Sequence, residues 1–162
     1  MPDASPKTAA MLTRANIFIT TIGLFVALYF AFDDLLMATY VVTFVMVGVV
    51  GILGFLRHSV FYKSDQARMG WHQDRPEFQI EVGFSNLSVA IAGILVVVLD
   101  LGYLACAIPL LVFGTYLACA AGLNLHGAIR EKKNPGKVVP IIIIAGSLLS
   151  FAFIALWQSG AV

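Results

Sequence analysis

Charged residues are scarce in this chain of 162 residues. Aspartate, glutamate, lysine and arginine together make up 12% of it, whereas hydrophobic residues make up 60%. A soluble globular domain carries about 25% charged residues, so the composition excludes that class of protein. The strict alternation of apolar and polar residues that is typical of membrane β-strands is also missing. The chain instead contains apolar stretches of about 18 to 24 residues, close to the roughly 20 that a helix needs to cross a bilayer.

The sequence therefore predicts an all-α integral membrane bundle of five transmembrane helices, in a single domain over residues 15–158. The helices are expected at about residues 15–32, 35–56, 76–99, 103–125 and 138–157. A cytoplasmic tail (1–14) precedes them, and a cytoplasmic loop (57–75) separates the second helix from the third. The first apolar run is longer than the core of a signal peptide and lacks a small-residue cleavage site, so we expect it to be retained.

Positive charge is confined to three short segments of the sequence. They contain Lys7 and Arg14; Arg57, Lys63, Arg68 and Arg75; and Arg130, Lys132, Lys133 and Lys137. The alternate connections carry only the acidic residues Asp33, Asp34 and Asp100. Because short loops rich in lysine and arginine stay in the cytoplasm, we expect a multi-pass protein of the inner membrane. Its N-terminus would be cytoplasmic and its C-terminus outside.

Cysteine is rare, and the sequence has no motif for attaching haem or metal. Cys106 and Cys119 fall in one predicted helix, about 20 Å apart at 1.5 Å per residue, so they are interpreted as packing residues. No CxxCH motif and no HxxxH or ExxH spacing occurs, and no cofactor is expected. The alternative is a metal- or haem-binding redox protein, because His58, His72 and His126 all fall at the cytoplasmic boundary and imidazole suits zinc, iron or copper.

Five polar residues near the cytoplasmic boundary form the candidate ligand or proton pocket. They are Gln79, Glu81, Asn86, Asn124 and His126. Polar side chains within a span are costly and usually face other helices or a cavity. In a proton- or cation-coupled carrier of small solutes, Glu81 would be the titrating group, the asparagines would orient the ligand, and His126 would be a proton partner or metal ligand. The structural alternative pairs Glu81 with a basic residue near the headgroups, such as Arg57.

Two further features concern packing at the cytoplasmic side. The loop is predicted to contain a short surface helix over 58–69, with apolar side chains such as Phe61 and Met69 against lipid or protein. In the fourth predicted helix, small residues recur every fourth position. They are Gly114, Ala118 and Gly122. Small residues let membrane helices approach closely, so this stripe is predicted to pack within the bundle.

The segment around the start of the third predicted helix resembles the signature of a known family. It reads Gly70-Trp71, a spacer, and then Phe78-Gln79-Ile80-Glu81-Val82-Gly83-Phe84-Ser85-Asn86-Leu87. This pattern is similar to an uncharacterised, domain-of-unknown-function family of small prokaryotic polytopic membrane proteins, from which the chain departs by placing Glu77 after Pro76. The resemblance implies a membrane protein of similar size and brings no activity, cofactor or catalytic residue.

The sequence alone thus predicts a small membrane protein of unknown activity, and no catalytic residue is proposed. A non-enzymatic, accessory or structural membrane subunit is the favoured interpretation, ahead of the carrier and the redox protein. Its expected partners are the lipid bilayer and either another membrane protein or further copies of the same chain. The net charge of +1 gives no indication of a nucleic-acid partner.

Overall fold

A computed structural model describes residues 5–70, 75–132 and 134–162 of the chain, without the side chain of Lys137. The described residues form six helices of eight or more residues, one short 3₁₀ helix (Pro135–Val138) and no β-strand. The six are α1 (Lys7–Phe30), α2 (Leu35–Val60), α3 (Tyr62–Met69), α4 (Glu77–Val98), α5 (Gly102–Arg130) and α6 (Val139–Gln158). All except α3 are long and apolar enough to cross a membrane. The predicted all-α fold with five membrane-spanning helices is therefore confirmed.

Two of the helices extend beyond the predicted apolar runs. α1 begins at Lys7, and α5 continues to Arg130. Apolarity marks where the hydrocarbon core begins, whereas a helix continues as long as its residues pack. At the start of α1, Ala9 is completely buried and its backbone N–H donates to the Ser64 hydroxyl at 3.0 Å. This contact holds the first turns of α1 in helical form outside the apolar run.

The second and fourth helices pack closely because glycine lines their interface. An added Cβ on three α2 glycines would come within 2.7, 2.8 and 3.1 Å of α4 side chains. The antiparallel pairs are Gly48 with Ile94, Gly51 with Ala90, and Gly54 with Asn86. Without a hydrophobic force between helices in lipid, such close backbone contact is a main source of association. It fixes α4 against α2 at the centre of the bundle.

Side chains fill the middle of the bundle. The largest fully buried ones there are Val42, Met46, Val47, Cys106, Leu110 and Leu148, together with Thr39 and Thr43. The two threonine hydroxyls donate to carbonyls of their own helix, each at 2.8 Å. Their polarity is therefore satisfied locally, and the contacts between helices at this level are apolar apart from that of the Thr43 hydroxyl with the Cys106 thiol.

At the end of the bundle opposite α3, a tyrosine joins α2 to the turn between α4 and α5. The Tyr40 hydroxyl donates to Asp100 Oδ1 at 2.6 Å and accepts from the Gly102 backbone N–H at 2.8 Å. Asp34 caps α2 by accepting from the Met37 N–H at 2.8 Å. Two of the aspartates that the charge pattern assigned to the outer connections, Asp34 and Asp100, thus have structural roles there.

The short helix α3 corresponds to the surface helix expected in the loop, but it has a polar inner face. The apolar residues Val60, Phe61 and Met69 are exposed, as expected for side chains that meet lipid or a partner. The face turned toward the bundle carries Ser64 and Asp65, both buried. This inner face was not predicted, and it brings a carboxylate into the interior of the protein.

Candidate functional site

The buried carboxylate of Asp65 is the centre of a polar cluster to which four helices contribute. Only 1% of its side chain is exposed. The cluster, here called the Asp65 cluster, consists of Thr13 from α1, Arg57 and His58 from α2, Asp65 and Arg68 from α3, and Gln79 from α4. Burying a carboxylate is costly unless it is paired and hydrogen-bonded, so the surrounding residues determine whether this arrangement is stable.

Both oxygens of the Asp65 carboxylate are in contact with polar groups. Arg68 donates to Oδ1 from Nε at 3.0 Å and from Nη2 at 2.9 Å. Gln79 donates to Oδ2 from Nε2 at 3.2 Å. His58 Nδ1 lies 3.0 Å from Oδ2, and Arg57 Nε lies 3.7 Å from Oδ1. The carboxylate is therefore bound by one close arginine, one amide and one imidazole, with a second arginine at a longer distance.

The protonation state of His58 follows from its neighbours. Arg57 Nη2 lies 2.7 Å from His58 Nε2. A guanidinium group has donors and no acceptor, so Nε2 must be the acceptor and the imidazole proton is on Nδ1, which faces Asp65. His58 is therefore neutral in this arrangement. Its Nε2 faces Arg57 and its Nδ1 faces the Asp65 carboxylate at 3.0 Å, so a metal ion would have to displace one of these groups to bind it.

The pKa of the Asp65 carboxyl is lowered from its ordinary value of 3.8. Burial alone raises this pKa, but the contact with His58 and the positive charges of Arg57 and Arg68 lower it by more. Asp65 is thus ionised at neutral pH. One carboxylate faces two guanidinium groups, so the Asp65 cluster carries a net positive charge.

A π-helical turn positions the two α2 members of the cluster. Residues Leu56–Val60 form this turn, and the Phe61 N–H closes it by donating to the Leu56 carbonyl at 2.8 Å. Such a turn is wider than an α-helical one, and π-turns are frequent at functional sites. Here it places the adjacent residues Arg57 and His58 against the same carboxylate.

Next to the cluster, Ser64 ties α3 to the start of α1. The Ser64 hydroxyl donates to the Ser5 carbonyl at 2.7 Å and accepts from the Ala9 N–H at 3.0 Å. Arg57 Nη1 lies 3.5 Å from the Thr13 hydroxyl. The first helix, the end of the second, the short helix α3 and the start of α4 are therefore joined into one cap on the bundle.

The residues of the predicted pocket lie in two different environments. Gln79 and Asn86 are buried, Gln79 against Asp65 and Asn86 against Gly54. Three others are exposed: Glu81, Asn124 and His126. Asn124 donates to the Ala120 carbonyl of its own helix at 2.8 Å. Within the described ranges, no hydrogen bond or ion pair links the three exposed residues to the Asp65 cluster.

The two histidines of the metal hypothesis that the structure describes also lie in different surroundings. His58 belongs to the Asp65 cluster, His126 is exposed on α5, and His72 lies outside the described residues. Among the residues that the structure describes, no group of three histidine, cysteine, aspartate or glutamate side chains is placed to hold a metal ion. The metal hypothesis stays a prediction.

Sequence reasoning missed Asp65, although one signal for it was present. Asp65 lies three positions before Arg68, the spacing of an ion pair on one helical face, and seven positions after His58. These spacings indicate a shared face but do not indicate burial. The interpretation of Gln79 as a polar residue of functional interest did point to the correct end of α4.

Residues 17–161 match the DUF6790 family, a family of unknown function. The chain belongs to this family. The membership confirms the expected uncharacterised family, and the matched residues include every member of the Asp65 cluster except Thr13. No curated protein and no solved structure matches this DUF6790 chain. Its function must therefore be inferred from its own geometry.

Proposed function

We propose that this DUF6790 protein is an accessory subunit of the inner membrane that acts through its surface, without a reaction of its own. The filled core carries this proposal. Its largest buried side chains are apolar except for two threonines bonded to their own helix, so the core resembles a packed protein interior. A carrier needs polar groups along a path, and among the described residues the fully buried charged side chain is that of Asp65, at one end of the bundle.

The Asp65 cluster supports the same proposal. Its contacts join α1, α2, α3 and α4 and occupy both carboxylate oxygens. A carboxylate bound in this way holds helices together and has little capacity left for a substrate. We infer that the cluster fixes the shape of the cytoplasmic face, with the N-terminus on that side as the positive charges indicate.

An unpartnered face of α5 is the place where another membrane helix would bind. Gly114 packs on α6, where an added Cβ would lie 3.0 Å from Leu149. The rest of the stripe is exposed, and an added Cβ on Gly122 would have no atom within 4 Å. The exposed part, here called the small-residue face, comprises Thr115, Ala118, Cys119 and Gly122. A helix of a partner can approach such a face closely.

A matched pair of glycine substitutions tests this proposal. Gly122→Ile adds a branched side chain to the small-residue face, whereas Gly127→Ile adds it on another side of α5, where space is also open. Protein extracted from its native membrane in mild detergent is then sized on native gels. We expect Gly122→Ile to release the chain from a larger assembly and Gly127→Ile to leave that assembly intact.

Two results would contradict the proposal. Equal behaviour of the two variants would remove the small-residue face as the contact. Proton or solute flux in vesicles of the purified chain, abolished by Glu81→Gln, would replace the accessory role with the carrier.

A further inference from the structure

A basic groove lies on the exposed face of α1, at the start of the helix and near the cap. It has a volume of about 470 Å³ and is open to the surroundings. Its lining consists of Lys7, Ala10, Met11, Arg14, Ala15 and Phe18. The two alanines leave space between the longer side chains, and both basic residues are exposed. This surface, here called the Lys7–Arg14 groove, is separate from the Asp65 cluster and from the small-residue face.

The length of α1 places the groove at the membrane boundary. The helix has 24 residues, which is about 36 Å at 1.5 Å per residue and exceeds a hydrocarbon core of about 30 Å. With Phe30 at one boundary, the other boundary falls near Met11. The backbone of Arg14 then lies just inside the hydrocarbon, and its side chain, which leans toward the helix N-terminus, extends back to the headgroups.

The two basic side chains have no counter-ion among the described residues. The ion pairs found there all involve Asp65, which is bound to Arg57, His58 and Arg68. A cation at the edge of the hydrocarbon is poorly solvated and favours a nearby anion. At this depth the anions available in quantity are lipid phosphates.

The groove continues from its basic end into an apolar one. Met11 is 64% exposed and Phe18 is 66% exposed, and Phe18 lies one turn deeper than Arg14. An acyl chain can lie along these two side chains while the headgroup stays beside the basic pair. We propose that the Lys7–Arg14 groove binds one phospholipid with a net negative headgroup, held by its phosphate between Lys7 and Arg14.

Lipid titration of the purified full chain in detergent, followed by native mass spectrometry, tests this site. The probes are phosphatidylglycerol and phosphatidylcholine with identical acyl chains. We expect phosphatidylglycerol to bind more tightly, and Arg14→Gln to weaken it about fivefold, as removal of one charge near an anionic headgroup predicts. Lys7→Gln should have a similar effect. The matched control is Arg130→Gln, which removes an exposed arginine at the end of α5 and should leave the affinity unchanged.

Three outcomes would overturn the site. Equal binding of the two lipids would show that net headgroup charge is not recognised. Equal losses in Arg14→Gln and Arg130→Gln would show a general effect of surface charge. Competition by soluble glycerol phosphate at the lipid's own concentration would show a free phosphate compound as the ligand, because such a compound makes no contact with Met11 or Phe18. None of these results bears on the accessory role, which depends on α5.

Discussion

Replacing Asp65 with asparagine should destabilise the protein strongly. Removing one partner of a fully buried ion pair costs about 3 to 5 kcal/mol, because the opposite charge is left buried. The arginines here retain some water, with 21% of Arg57 and 26% of Arg68 exposed, so the lower end of that range applies. We expect Asp65→Asn to lower the free energy of unfolding by about 3 kcal/mol, or more than a hundredfold in the ratio of folded to unfolded protein.

The measurement is unfolding of the purified protein by SDS in mixed micelles, followed by circular dichroism. The matched control is Asp33→Asn, at an exposed aspartate at the other end of the bundle, which should change the free energy by less than about 0.5 kcal/mol. Amide exchange should also increase in α3 and the start of α1 before the rest of the bundle is affected. If Asp65→Asn unfolds like the control, the ion pairs of the Asp65 cluster do not hold the cap together.

Two further predictions concern pH and packing. The pKa of Asp65 is lowered in the folded state, so the stability that its carboxylate contributes is complete above the ordinary value of 3.8 and is lost as the pH falls through the lower, folded-state pKa. SDS titrations at pH values from 7 downward should therefore show the free energies of unfolding of wild type and Asp65→Asn converging below about pH 4. A difference that stays constant with pH would contradict this linkage. Gly83→Ala should lower the free energy of unfolding by about 1 to 3 kcal/mol through overpacking, because its new Cβ would overlap the Ser59 hydroxyl that donates to the Ile80 carbonyl. The same SDS titration measures this change. A stability equal to that of wild type would show that α2 and α4 can move apart at no cost.

The membrane-spanning helices could be predicted because the bilayer imposes a simple rule on sequence. An apolar stretch of about 20 residues must be helical to satisfy its backbone in lipid, and five such stretches were found as helices. The ends of α1 and α5 could not be predicted in this way. They depend on tertiary contacts, such as that of Ala9 with Ser64, which the local sequence does not indicate.

The candidate site was only partly accessible from sequence for a related reason. A polar residue within an apolar run is conspicuous, so Gln79 and Asn86 were identified, and both are buried. Asp65 lies in a polar segment, where a charged residue is usually solvated. Its burial depends on partners from two other helices, Arg57 and His58 of α2 and Gln79 of α4, and on the π-turn at Leu56–Val60. These arise only when the whole chain is folded.

The most direct test of the accessory role is the mass and composition of the particle that contains the wild-type chain after gentle extraction from its native membrane. We predict a defined assembly in which this chain is present in a fixed ratio with a different integral membrane protein. Recovery of the free chain alone, or of a particle made only of copies of it, would contradict the proposed function.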